Sequence, residues 1–443
     1  MTVLPDYSGP FDPGFRLERL SRGALAVLGR EWLLHGHLQD RVGVPMVLEL
    51  GGRQEAERVA IEEWAAASPI YSVRMQEALG FRGDTVSTIL KNLQLDIGAP
   101  PQFMDFRLRL IDERHGEFEL AHCGALLDVE PMGEDWVRGM CHTIEDPTFD
   151  ATGSATNPRA RFLPVHRPPR VPPGRTPHCH WRVEISDAAE LLAPHPNQAS
   201  VAGSLLARLP ITSGRLSAEP GGLDDYGGPF DTDFQLEDLS HAALQTALEE
   251  VAIQSHLLFR GYLLSMSDHY GEPAARGAGP RVLVGLAGLT AGRLHTAMNV
   301  PGDDAAAIGR VLQLHPTFQP GSYVGLDVEV TGPLRVRFGF TDSPIFREAD
   351  PLTWLAELGG DGDRALDAVV QAVNPRARCV PVPAREGERH AYEAVIDPGA
   401  EPAREEPEVR LARLSGGAGF AFHRLRVRTE PDGRTRRPRP VRR

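Results

Sequence analysis

Tyr7-Ser-Gly-Pro-Phe-Asp-Pro-Gly-Phe-Arg-Leu-Glu-Arg-Leu-Ser21 returns 219 positions later as Tyr226-Gly-Gly-Pro-Phe-Asp-Thr-Asp-Phe-Gln-Leu-Glu-Asp-Leu-Ser240. The register continues outward from this pair. His37 falls on His256 at the same offset, Trp136 pairs with Trp354, and Asn157-Pro-Arg-Ala-Arg161 recurs letter for letter as Asn374-Pro-Arg-Ala-Arg378. Trp181 then pairs with Tyr392, and Val183 and Ile185 with Ala394 and Ile396. A repeat with a period near half the chain means two tandem domains rather than a solenoid. Length agrees, because 443 residues exceed what one hydrophobic core usually organises.

The periodicity predicts the same order of elements in each copy. Leu17, Leu20, Leu25, Leu28, Trp32 and Leu33 recur at helical spacing after an Asp/Pro/Gly-rich entry. Further helices are expected over 54–67, 68–79 and 84–96. Beyond Pro100-Pro101 the period drops to two, giving a β-hairpin that turns at Glu113-Arg-His-Gly116 and ends on His122-Cys123. A short helix over 133–142 and strands over 159–165 and 179–185 follow. The second copy runs from helix 234–265 through helix 305–314 and strands near 323–341 to a last strand near 391–397. Each unit is therefore expected to be α+β, with N-terminal helices packed on an antiparallel sheet. The first copy spans 1–192, a linker with a helix at 198–209 spans 193–224, and the second copy spans 225–400. Residues 401–443 read as an extra edge strand and a basic tail, and the two copies are expected to pair about a pseudo-twofold axis.

Composition excludes several classes. Apolar content of 41% and aromatic content of 7% suit a globular chain, and no apolar run approaches the 18 residues of a membrane span. The start of the chain shows no basic region followed by an apolar stretch, so the expected location is cytoplasmic. A formal charge of −13 argues against nucleic acid, apart from the basic, proline-broken Arg434–Arg443. Four cysteines are too few and too uneven for a disulfide framework. Lys91 is the one lysine among 47 basic residues.

Three of the four cysteines stand beside histidines, and all three clusters lie in the first copy: His122-Cys123, Cys141-His142 and His178-Cys179-His180. Carried across the repeat, these become Phe338-Gly339, Gly359-Gly360 and Arg389-His390-Ala391. Thiolate and imidazole favour zinc and related transition metals, so the first copy is expected to hold zinc or iron. Strand alternation places His178 and His180 on one face and Cys179 on the other with Trp181, Val183 and Ile185, where Cys179 could equally be a core residue. The same rule puts His122 with Phe118 and Leu120, and Cys123 opposite. Glu145 and Asp146, just beyond His142, are candidate carboxylate ligands or general bases for a metal-bound water. Arg159 and Arg182 are candidate holders of a substrate carboxylate. His37, retained as His256, reads as structural, while His35 and Trp32 belong to copy one alone.

Residues 15–187 resemble the L-2-amino-thiazoline-4-carboxylic acid hydrolase-like family, itself similar to vinyl-reductase-type small-molecule domains. Cys123, Cys141, Asn157-Pro158 and Cys179-His-Trp-Arg182 carry the resemblance, which covers the first copy and, in degenerate form, the second. It implies a hydrolytic ring-opening or small-molecule-binding domain. His122, His142, His178 and His180 lie outside that pattern. The expected function is a metal-dependent enzyme acting on a small, carboxylated molecule by hydrolysis. The alternatives are a non-haem iron oxygenase and a metal- or ligand-binding regulator.

Overall fold

The computed structural model describes residues 3–213 and 215–423. The first copy contains α1 (Arg22–His37), α2 (Asp40–Ala78), α3 (Val86–Leu93), β1 (Met104–Leu110), β2 (His115–Cys123), α4 (Gly124–Val129), α5 (Glu134–Arg138), a π-helical turn (Gly139–Ile144), α6 (Glu145–Ser154), β3 (Ala160–His166) and β4 (Cys179–Ile185). After α7 (Pro196–Gly203), the second copy runs α8 (His241–Tyr270), α9 (Glu272–Ala297), α10 (Ala305–Leu314), β5 (Leu326–Gly332), β6 (Arg335–Thr341), α11 (Asp363–Gln371), β7 (Ala377–Pro381) and β8 (Glu388–Ile396). Both sheets are antiparallel with matching orders, β1-β2-β4-β3 and β5-β6-β8-β7. The fold is α+β, as two homologous units.

Local chemistry repeats with the sequence. Ser21 Oγ caps α1 by accepting from Ala24 N, and Ser240 caps α8 by accepting from Ala243 N. The long helical run of each copy breaks at the same repeat position, Gly52 (φ 78°) inside α2 and Gly271 (φ 83°) between α8 and α9. Positive φ is open to glycine without the Cβ clash other residues suffer, so these two positions fix where the chain bends. The expected break at Ser68-Pro69 does not occur, and α2 runs through Pro69.

Strand pairing corrects the repeat register inside the sheets. Phe118 lies opposite Trp181 on β4, and Phe338 lies opposite Tyr392 on β8. Phe118 therefore corresponds to Phe338, and His122-Cys123 corresponds to Asp342-Ser343 rather than Phe338-Gly339. Asp150 accepts from Phe162 N as Asp367 accepts from Cys379 N, which aligns Asp146 with Asp363 and Cys141-His142 with Leu358-Gly359. A second correction concerns 401–443: the described part carries a helix, α12 (Pro407–Ala412), with Pro407 in its first turn, and no strand. The basic Arg434–Arg443 lies outside the described residues.

The copies interlock reciprocally. The arm before α1 lies against the second copy, with Tyr7 N donating to Met298 O (3.0 Å) and Tyr7 OH to Gln313 Oε1 (2.7 Å). The arm before α8 lies against the first, with Tyr226 N donating to Leu79 O (2.7 Å) and Tyr226 OH to Gln94 Oε1 (2.8 Å). Each tyrosine stacks on a phenylalanine of its own arm at 4.3 Å, and each has a cation of the other copy over its ring, Arg310 above Tyr7 and Lys91 above Tyr226. Helices α1 and α2 pack on α8, and the buried apolar residues of both copies form one continuous core.

Buried ion pairs cross this interface: Arg30 with Glu237 (2.5 Å) and Arg74 with both carboxylate oxygens of Glu250 (2.9 and 2.8 Å). Arg74 also donates to Ala207 O and Leu209 O in the linker. Removing one partner of such a pair strands the other charge away from water. Arg74→Met is therefore expected to destabilise the protein by about 3–5 kcal/mol in denaturant unfolding. A loss below ~1 kcal/mol would show that water reaches Glu250 and that the interface is looser than the packing implies.

Beyond α12 the chain crosses to the first copy as a strap. Ser415 Oγ and Gly416 N donate to Asp128, and Arg293 donates to Gly417 O, Ala418 O and Phe420 O. Phe420 packs on Phe103 and His122. No described helix is long and apolar enough to cross a membrane.

Candidate functional site

The nine residues singled out around the metal expectation do not converge on one point. Alternation holds along β4, where Cys179, Trp181, Val183 and Ile185 are buried and Arg182 is exposed. Along β2 it fails at the last step. A register shift between Met104 and Phe106 turns Cys123 inward with Phe118 and Leu120, where its sulfur accepts from Leu126 N (3.3 Å). Cys123, Cys179 and Cys141 of the π-helical turn then gather on the inner side of the sheet near Glu145. Burial pushes all three thiols up, Cys123 to about 12, and the Glu145 carboxyl adds to each shift. Thiols so raised stay protonated and are poor nucleophiles at neutral pH.

The histidines face elsewhere. His122 Nδ1 donates to Phe103 O (2.8 Å) and its ring lies 6.2 Å from that of His178. His142 Nε2 donates to Pro168 O (2.6 Å). His180 sits on the outer face beside Glu117 (3.4 Å) and His166. Asp146 is held by Arg167, whose guanidinium also lies over the Trp181 ring. Arg159 donates to Asp187 O and Ala189 O, and Arg182 points outward, so the two candidate carboxylate holders are surface residues. A sheet has two faces, and the clusters are divided between them. Among the described residues no three His, Cys, Asp or Glu side chains are set to hold one metal ion.

Of the candidates, Glu145 alone lines a cavity of about 90 Å³ between the helical layer and the sheet. His37, Asp40 and Arg41 at the α1–α2 turn close one side, Trp64 and Asp96 a second, and Phe106 with Glu145, Phe149 and Thr152 the third. Trp64 Nε1 donates to Asp40 Oδ2 (3.0 Å), and the Glu63 carboxyl hydrogen-bonds the same Asp40 side chain. Asp96 Oδ1 accepts from Gly98 N (2.7 Å) and Tyr71 OH (3.2 Å). Arg41 is tied to Asp128 (2.7 Å), the residue that also anchors the C-terminal strap. His37 is buried, with Nδ1 unpartnered.

Burial dominates the electrostatics here. It lifts Glu145 to about 8, with Asp146 adding to the rise and Arg167 opposing it. It lifts Asp96 to about 6 against the hydrogen bonds from Gly98 and Tyr71. It pushes His37 down to about 3, helped by Arg41, so the imidazole is neutral at physiological pH. Behind Asp40, Glu63 is 1% exposed and raised well above the carboxylate range by burial and by Asp40.

The second copy keeps the frame of this cavity and replaces its lining. His37 and Arg41 recur as His256 and Arg260, and Arg260 pairs with Asp350 as Arg41 pairs with Asp128. Asp40 becomes Phe259, which stacks on Trp354 at 3.6 Å with rings 4° from parallel. Glu63 becomes Val282, Trp64 becomes Leu283, Asn92 becomes Val311 and Asp96 becomes His315. On the other wall, Glu145, Phe149 and Thr152 become Gly362, Leu366 and Val369. Asp40, Glu63 and Asp96 stand apart from the Cys/His clusters in the sequence, and nothing beside them marks them as reactive. The signal was present, since the offset that sets His37 on His256 also sets Asp40 on Phe259.

No family model, no curated protein and no solved structure matches this chain.

Proposed function

We propose that the first copy is a small-molecule site and the second its apolar, supporting twin. The observation that carries this reading is the exchange of a hollow, carboxyl-lined interior in one copy for a stacked Phe259–Trp354 pair and aliphatic residues in the other. Buried carboxyls cost stability unless something uses them. A void of about 90 Å³ takes a ligand of roughly half a dozen non-hydrogen atoms, given ~10–15 Å³ for one water.

Glu145 and Asp96 lie on opposite sides of neutral pH, the arrangement that divides an acid from a base. At pH 7 Glu145 carries a proton to donate and Asp96 accepts one. Hydrolysis is the simplest reaction of this kind and agrees with the resemblance noted above. Asp96 would take a proton from water as its oxygen attacks, and Glu145 would deliver one to the leaving group. The test is turnover of a panel of small hydrolysable substrates against pH. A bell with limbs near 6 and 8 is expected, the lower limb lost in Asp96→Asn and the upper in Glu145→Gln. Limbs that survive both substitutions would sink the assignment.

A second reading keeps zinc or iron on the inner side of the sheet, where Cys123, Cys179 and Glu145 lie near enough to raise the Cys141 thiol although no three described side chains are set around one ion. Elemental analysis of the same preparations separates the two: one equivalent of metal lost in Cys141→Ser would favour the second.

A further inference from the structure

Three polar groups line the first-copy cavity. The Asp40 side chain accepts from Trp64 Nε1 and lies against the Glu63 carboxyl, and the Glu145 carboxyl receives no hydrogen bond from any described residue. His37, 7% exposed and lining the same space, has its Nδ1 unpartnered. Asp96 adds a third carboxyl, while the one cation on the wall, Arg41, is already spent on Asp128. The remaining lining is mostly aliphatic and small, with Leu93, Met104, Met140 and Ile144 among it, and includes the aromatic rings of Trp64, Phe106 and Phe149.

We propose that the ligand of this cavity is a small organic cation, a primary amine in its ammonium form, held by Asp40 and Glu145 and flanked by the rings of Trp64 and Phe149. An ammonium group offers three N–H donors and no acceptor, which complements carboxyl oxygens that lack donors. Its charge is favoured over aromatic faces, most of all over tryptophan, and more so where water is excluded. A carboxylated ligand would meet carboxyl-bearing walls, with the one lining cation, Arg41, already paired to Asp128. His37, uncharged in this setting, adds a hydrogen-bonding partner without repelling a cation. The second copy lacks each of these features together: Phe259, Gly362, Leu283 and Leu366 stand where Asp40, Glu145, Trp64 and Phe149 stand in the first.

This inference rests on the small-molecule reading above, and the test separates the two. The full chain is titrated with propylammonium, propanol and propionate, followed by ligand-observed NMR, with Glu145→Gln, Asp40→Asn and Phe149→Leu beside the wild type. Saturable binding of propylammonium that weakens roughly ten- to a hundredfold in Glu145→Gln and Asp40→Asn is the expected result. Phe149→Leu is a smaller change toward the second copy's own residue, and it should weaken the amine and not the alcohol. Propanol or propionate binding as tightly as the amine, with sensitivity to the same substitutions, would overturn the ligand class and leave the cavity reading standing. Amine binding that no substitution weakens would place it elsewhere and overturn the proposal. Binding of none of the three would overturn both.

Discussion

The triple variant Asp40→Phe/Glu63→Val/Trp64→Leu is expected to unfold at higher denaturant than the wild type while losing ligand binding and turnover. Each substitution installs the residue that the second copy carries at the same repeat position. Asp40 and Glu63 set two carboxyls against each other inside the fold, and Glu63 is raised by burial and by Asp40. Exchanging buried, poorly satisfied polar groups for well-packed apolar side chains removes a penalty of about 1–3 kcal/mol. Trp64 is exchanged with them because its indole N–H would otherwise lose its acceptor on Asp40. Denaturant unfolding and the same ligand titration decide the matter. A less stable variant that still binds would mean that the carboxyls hold the fold together rather than serve a ligand.

Stability should also fall as pH rises from about 4.5 to 8, and Glu145→Gln should remove part of that slope, Glu63 adding another part with the same sign. The native carboxyl holds its proton up to about 8, whereas in the unfolded chain it ionises near 4.5. Its stabilising contribution is whole below the unfolded value and is lost as pH passes through the folded one. The separation corresponds to something on the order of 4 kcal/mol. Asp96 acts with the same sign between 3.8 and about 6. The buried histidines work in reverse. His37 at about 3, and His256 and His315 at about 4, are neutral in the fold and charge more readily unfolded, so they withdraw stability as pH falls below about 6.5. Unfolding free energies at pH 5 and 8 for wild type and Glu145→Gln check this. Equal slopes in both would show that water reaches Glu145 and keeps it ionised.

The fold was largely legible in the sequence, because apolar periodicity and the repeat speak to backbone and burial directly. The strand expected over 179–185 is β4, and that over 159–165 differs from β3 by one residue at each end. Ser68-Pro69 misled, since a proline reads as a break, yet α2 stays helical through Pro69 and packs on α6, α7 and α8. The extra strand within 401–443 misled because Pro407 opens a helix. The site was legible only at Glu145. Cysteine and histidine draw attention by their chemistry, but their directions depend on one β-bulge at Met104/Phe106 and on which face of a sheet each occupies. Asp40, at the start of α2, and Asp96, in the turn after α3, are 56 positions apart and meet only through the tertiary packing.

The exchanged arms of Tyr7 and Tyr226 make the molecule a dimer whose halves are covalently joined. In a dimer of identical chains every substitution appears twice, at both symmetry-related places, so a change that suits one site is forced on the other. Joining the halves end to end removes that coupling. One interior can be emptied and given carboxyls at a cost in stability while the other is packed solid to offset it, and a single gene carries both solutions at once.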